Sequence, residues 1–129
     1  MTGLQILVVD DSAMMRAVIK RALRQTDLEI AEIHEAANGR LALDLLASRD
    51  VDAIFTDINM PEMNGVEFLR ELDRRHVTKP LRVVVSTDGS HARREEVAGL
   101  GVGAYVEKPF APEVIRGVFD EYLREQVAG

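Results

Sequence analysis

Short apolar runs recur along this chain with amphipathic stretches between them, and that alternation restricts the fold more than any other feature. The runs are Leu4-Gln5-Ile6-Leu7-Val8-Val9, Asp52-Ala53-Ile54-Phe55-Thr56, Leu81-Arg82-Val83-Val84-Val85 and Ala104-Tyr105-Val106. Strand-like runs separated by helical patterns point to an α/β fold around a parallel sheet. A fifth stretch, Glu29 to Ala36, alternates apolar and polar residues and reads as a half-exposed edge strand. Ser12 is placed to cap a first helix with apolar pairs Met14/Met15, Val18/Ile19 and Ala22/Leu23 as its core stripe. Asn38-Gly39 is a turn, and the next helix turns Leu41, Ala42, Leu45 and Leu46 inward. A third helix follows Gly65 with Val66, Phe68, Leu69 and Leu72. A fourth, from His91 to Leu100, is thinly apolar and interrupted by Gly99, hence marginally packed. Pro112 suits the first turn of a last helix carrying Val114, Ile115, Val118, Phe119, Tyr122 and Leu123. The expectation is five strands and five helices in a doubly wound sheet.

At 129 residues the chain fits one domain, spanning 1–129 with no output domain, and is long enough to bury about two thirds of its unfolded surface. No apolar run approaches the roughly 20 residues of a membrane span, and the N-terminus has no secretory pattern. With no cysteine, disulfides, thiolate metal sites and cysteine nucleophiles are excluded. A net charge of −6 argues against nucleic acid as a partner. These features favour a soluble cytoplasmic protein.

The chemistry lies where the runs stop. The first ends in Asp10-Asp11, the third in Ser86-Thr87-Asp88, and the last leads to Glu107-Lys108-Pro109. Asp57 stands at the end of another, before the irregular segment Ile58-Asn59-Met60-Pro61-Glu62-Met63-Asn64-Gly65. In an open parallel sheet, groups at the carboxyl ends of the strands converge on one crevice. Three carboxylates gathered there repel one another unless a cation joins them, and Mg²⁺ suits an all-oxygen site that needs few protein ligands. A hydroxyl and a lysine beside them complete the requirements of phosphoryl transfer, with Asp57 as the oxygen nucleophile that forms an acyl phosphate.

The segments Val8-Val9-Asp10-Asp11-Ser12, Asp57 to Gly65, the hydroxyl after the fourth strand and Gly103 to Phe110 occur in the order found in response regulators. Over nearly its whole length the chain resembles their receiver domains, most closely the stand-alone chemotaxis type. The resemblance implies a flavodoxin-like sheet in the order 2-1-3-4-5, an architecture of which this family is itself a standard example. It implies phosphorylation of Asp57 by a histidine kinase, with Mg²⁺ held by Asp10, Asp11, Asp57 and the backbone carbonyl of Asn59. Ser86 lies 22 positions before Lys108 and is taken as the phosphate-contacting hydroxyl, with Thr87 at the position usually occupied by a small residue. Tyr105 matches the aromatic switch, and the altered surface is the fourth helix, fifth strand and fifth helix. Asn59 and Asp88 occupy the positions that tune self-dephosphorylation. The downstream partner is another protein, a flagellar-motor switch protein being one candidate.

Such a chain is a signalling switch that catalyses only its own phosphotransfer and dephosphorylation. A phosphorelay shuttle or kinase regulator is the nearest alternative. A metal-dependent aspartyl phosphatase is disfavoured, because the acid it needs two residues past the nucleophile is Asn59 here. Gly99, Gly101 and Gly103 precede a strand and do not form a phosphate loop. His34, His76 and His91 read as scattered surface residues, and Arg93-Arg94-Glu95-Glu96 as a solvated helix face or part of the output surface.

Overall fold

The computed structural model describes residues 3–128. Strands β1 (Leu4–Val9), β2 (Ile30–Ala36), β3 (Ala53–Thr56), β4 (Leu81–Ser86) and β5 (Val102–Glu107) alternate with helices α1 (Ala13–Arg24), α2 (Gly39–Leu46), α3 (Gly65–Arg74), α4 (His91–Val97) and α5 (Pro112–Ala128). All pairings are parallel and the order is β2-β1-β3-β4-β5, as expected.

Alternate residues of the central strands feed two separate cores, because successive side chains of a strand point to opposite faces. Leu7, Val9, Ile54 and Val84 pack with Leu43 of α2, with Phe68, Leu69 and Leu72 of α3, and with Val97 of α4. Ile6, Val8, Phe55, Val83 and Val85 pack on the other face with Ile19 and Leu23 of α1 and with Ile115 and Phe119 of α5. Phe55 and Phe119 meet with ring centroids 5.9 Å apart. Burial on both faces explains why β1 and β4 read as nearly continuous apolar runs.

Helix orientation departs from the sequence expectation. In α1 the buried residues are Ile19, Ala22 and Leu23, while Met14 is 78% and Val18 46% exposed. Stacking apolar residues every fourth position lets a 3.6-residue helix rotate them off the core. In α2 Leu41 is 48% exposed and Leu43 is buried in its place. Val114 and Leu123 likewise lie on the outer side of α5.

Helix starts match the chemistry of their caps. Ser12 accepts a hydrogen bond from the Met15 N–H, and Pro112 opens α5. Asn38-Gly39 is not a free turn. Asn38 caps α2 by accepting from the Leu41 N–H. Asn64 and Glu67 form a reciprocal capping box on α3, which the Asn-x-x-Glu spacing before an apolar run would have revealed. Helix α4 stops at Val97, three residues earlier than expected, because Ala98 is extended and Gly99 adopts φ +84°. His34 is half-buried, its Nε2 3.0 Å from Gln5 Oε1, and so is not a surface histidine. His76 and His91 are exposed.

Candidate functional site

Each acid is fixed by the strand that precedes it. The N–H of Asp10 donates to the Ala36 carbonyl and that of Asp57 to the Val9 carbonyl, so the ladder continues one residue past β1 and β3. Asp10 is buried, and its Oδ1 accepts from the Ser12 N–H at 2.9 Å. Asp57 Oδ1 accepts from the Ile58 N–H at 2.7 Å. Their other oxygens share one ammonium, Lys108 Nζ standing 2.9 Å from Asp10 Oδ2 and 3.2 Å from Asp57 Oδ2. Lys108 follows β5, where its N–H donates to the Ser86 carbonyl and ties the end of β5 to the end of β4.

Asp11 is exposed, yet it places a carboxylate oxygen within 4.8 Å of oxygens from Asp10 and Asp57. Three carboxylates against one ammonium leave two formal negative charges at the crevice, which a divalent cation would neutralise. Oxygen donors alone, with one of the three acids open to water, fit a hard cation that keeps part of its hydration shell. Burial pushes the Asp57 carboxyl above the ordinary carboxylate range. The Ile58 N–H and the Lys108 charge pull it down, and Asp10 adds to the upward push. The pocket therefore resists a bare carboxylate at Asp57 and rewards whatever compensates its charge.

Ser86, the last residue of β4, is buried, and its hydroxyl accepts from the Asp88 N–H at 3.1 Å. Thr87 is exposed. The Tyr105 hydroxyl donates to the Asp88 carbonyl, and the Arg94 guanidinium lies 4.5 Å from its ring centroid. The segment Ser86-Thr87-Asp88 is thus tied to the Lys108 backbone at one end and to Tyr105 at the other.

Gly65 opens α3 against the back of the loop that follows Asp57, its N–H donating to the Ile58 carbonyl at 2.7 Å. A Cβ there would lie 2.2 Å from the Asp57 carbonyl oxygen and 2.8 Å from Ile58 Cα, both backbone atoms that cannot swing aside. Gly65→Ala is expected to destabilise the fold by about 1–3 kcal/mol through overpacking. Urea unfolding checks this, and a loss below about 0.5 kcal/mol would show that the loop yields freely.

Two arginines at the site escaped the sequence reading. Arg16 of α1 donates to the Asp10 backbone carbonyl at 2.6 Å and to Glu35 Oε1 at 2.9 Å, bracing the turn that carries the acids. Arg93, read as part of a solvated face, reaches back from α4. Its Nη2 donates to Asn59 Oδ1 at 3.1 Å, and its Nε lies 3.5 Å from Asp88 Oδ2. Asp88 is held below the usual carboxylate range, first by the Ser90 N–H and hydroxyl and then by Arg93. Neither arginine belongs to a local motif, so spacing offered no signal.

The response regulator receiver domain family matches residues 6–120. The chemotaxis protein CheY of Pseudomonas aeruginosa is 39% identical over 129 residues, covering 98% of this chain and all of that one. A CheY homolog from Campylobacter jejuni is 37% identical over 123 residues, covering 93% and 92%. The structure of the Vibrio cholerae chemotaxis response regulator CheY4 superposes with a TM-score of 0.81 at 30% identity, covering 93% of this chain and 98% of the other. Sheet order, sequence match and similarity along the whole chain agree: the chain belongs to the response regulator receiver domain family and is homologous to the CheY chemotaxis proteins.

Proposed function

We propose that this protein is a phosphorylatable switch of two-component signalling that accepts a phosphoryl group from a histidine kinase on Asp57. The observation that carries this reading is Lys108 Nζ bonded to both Asp10 and Asp57, from positions 98 and 51 residues away in sequence. An Asp57 carboxylate oxygen bonds to phosphorus as the phosphorus–nitrogen bond of the donor phosphohistidine breaks. The electron pair returns to the imidazole, leaving an acyl phosphate. Asp10, Asp11, Asp57 and the Asn59 carbonyl would hold Mg²⁺, which when bound supplies charge neutralisation between the carboxylates and the phosphoryl oxygens.

Lys108 already balances the carboxylates, and after transfer its ammonium turns to a phosphoryl oxygen that carries most of the new charge. The Ser86 hydroxyl donates to another phosphoryl oxygen and leaves the Asp88 N–H. That release travels through Asp88 to Tyr105, whose hydroxyl rests on the Asp88 carbonyl. The face formed by α4, β5 and α5 changes as Tyr105 resettles, and a downstream protein reads it. Turning such a switch from 1:99 to 99:1 requires about 5.5 kcal/mol of differential stabilisation, shared between the phosphoryl contacts and the partner. The similarity to CheY proteins along the whole chain supports chemotaxis or motility, with action in the cytoplasm and a flagellar-motor switch protein as a candidate target. A turnover phosphatase is not favoured, because the Asn59 amide is far too weak an acid to protonate a leaving group, and its side-chain oxygen is held by Arg93.

Incubation with acetyl phosphate and Mg²⁺ is expected to add one phosphoryl mass, and EDTA present from the start is expected to prevent that uptake. Lys108→Ala is expected to slow uptake on the order of a hundredfold, the usual cost of deleting one preorganised charge-stabilising group. An unchanged rate in that variant would remove Lys108 from the transfer step.

A further inference from the structure

Asn59 lies two residues past Asp57 and Asp88 two past Ser86, on neighbouring loops, because β3 and β4 are adjacent in the sheet. Both residues are exposed, and Arg93 contacts both of their side chains. One guanidinium nitrogen donates to Asn59 Oδ1 at 3.1 Å, and Nε sits 3.5 Å from Asp88 Oδ2. The remaining nitrogen, Nη1, is braced by Glu96 of the same helix at 2.7 Å. The planar fork thus spans two loops and a helix, an arrangement a lysine cannot copy.

The acyl phosphate is lost when a water oxygen bonds to phosphorus as the phosphorus–oxygen bond to Asp57 breaks. The electron pair returns to the Asp57 carboxylate, and the water's oxygen and both its protons leave with orthophosphate. An incoming water needs an acceptor to orient it and draw on its proton. Asn59 Oδ1 and Asp88 Oδ2, carried by the loops that follow Asp57 and Ser86, are acceptors for such a water, and in this structure both face Arg93.

We propose that Arg93 is a positioning residue that prolongs the phosphorylated state by holding Asn59 and Asp88 away from attacking water. This rests on the phosphoacceptor reading of Asp57. Because Arg93 lies in the short helix α4, the lifetime of the signal becomes coupled to the surface proposed to meet the downstream protein. A partner that draws α4 away would release the clasp, and one that presses it down would tighten it.

The test compares wild type, Arg93→Ala, Arg93→Lys, the double variant Asn59→Ala/Asp88→Ala and the triple variant. Each is phosphorylated with acetyl phosphate and Mg²⁺ and freed of donor, and loss of the phosphoryl mass is then timed. Arg93→Ala is expected to lose phosphate about tenfold faster, part of the roughly 10²–10⁴-fold that a positioned proton acceptor can contribute. Arg93→Lys should behave like Arg93→Ala, and the double variant should hold phosphate longer than wild type. Adding Arg93→Ala to the double variant should change nothing. An unchanged rate in Arg93→Ala, full rescue by lysine, or acceleration that persists in the triple variant would each overturn the role given to Arg93. A wild type that takes up no phosphoryl group, or uptake that survives Asp57→Asn, would instead overturn the phosphoacceptor reading, and the clasp with it. Thermal melts of the single variants, expected to lie close to wild type because partly exposed ion pairs contribute little to stability, separate the clasp from a folding defect.

Discussion

Asp57→Asn is expected to abolish phosphoryl uptake from acetyl phosphate while making the metal-free protein more stable at neutral pH. The first half follows from chemistry, since an amide oxygen is too weak a nucleophile to replace a carboxylate. The second follows from the pocket. Burial, with Asp10 adding to it, raises the Asp57 carboxyl above its ordinary range despite the Ile58 N–H and Lys108. A raised folded-state value means that the group favours folding only while protonated. Its stabilising contribution is complete below the unfolded-state value and disappears as pH rises through the folded-state value. At pH 7 in EDTA the ionised carboxylate therefore works against the fold, and an isosteric amide removes that penalty. The variant's advantage in Tm should shrink as pH falls from the raised folded-state value towards the ordinary carboxylate value, and should be gone below it. Adding Mg²⁺ should raise the wild-type Tm more than that of the variant. A variant less stable than wild type at pH 7 would show that the Lys108 contacts outweigh desolvation at this site.

Arg82→Ala is expected to cost about 3–5 kcal/mol, the range for removing one partner of a buried charged network. Arg82 lies inside β4 and is 3% exposed. Its Nη1 donates to Asp73 Oδ1 at 2.8 Å and to the Leu100 carbonyl at 2.6 Å, and its Nη2 donates to the Val77 carbonyl at 2.8 Å. The alanine leaves two carbonyls without their donor and opens a cavity, whereas Asp73, half exposed, can recover water. Against a total stability of roughly 5–15 kcal/mol, such a loss is large. Arg82→Met would restore volume without donors and is expected to recover only part of it. Because the Leu100 contact anchors the turn after α4, hydrogen exchange at residues 98–102 should accelerate most. A loss below about 1 kcal/mol in urea unfolding would mean that the carbonyls find water instead, so the network matters little to stability.

Arg82 also shows where sequence reading stops. It stands in an apolar run, and the run identified the strand correctly, yet nothing local names Asp73, Val77 and Leu100 as its partners. Arg93 and Asn59 are 34 positions apart, and their contact exists because strand order brings two loops together. Strand positions and the acids at their ends were legible because they are local: an apolar run stops, and a carboxylate or hydroxyl follows. The order 2-1-3-4-5 came from the family resemblance, since alternation alone fixes a parallel sheet and not its sequence of neighbours. Helix facing was legible only in part. Phe68, Leu69 and Leu72 are buried as expected, whereas Leu41 and Val18 are not, because adjacent apolar pairs do not say which member faces the sheet.

The bond from Lys108 to Asp10 joins the last strand of the sheet to the first. A ribosome-bound chain that has emerged only through α3 already displays Asp57, its loop and the carboxylates of β1. It lacks the ammonium and hydroxyl that arrive with β5 and β4. Contacts between such distant positions form late, because loop closure must be met before they form. Under the phosphoacceptor reading, fast phosphoryl acceptance is therefore expected only once β5 has docked.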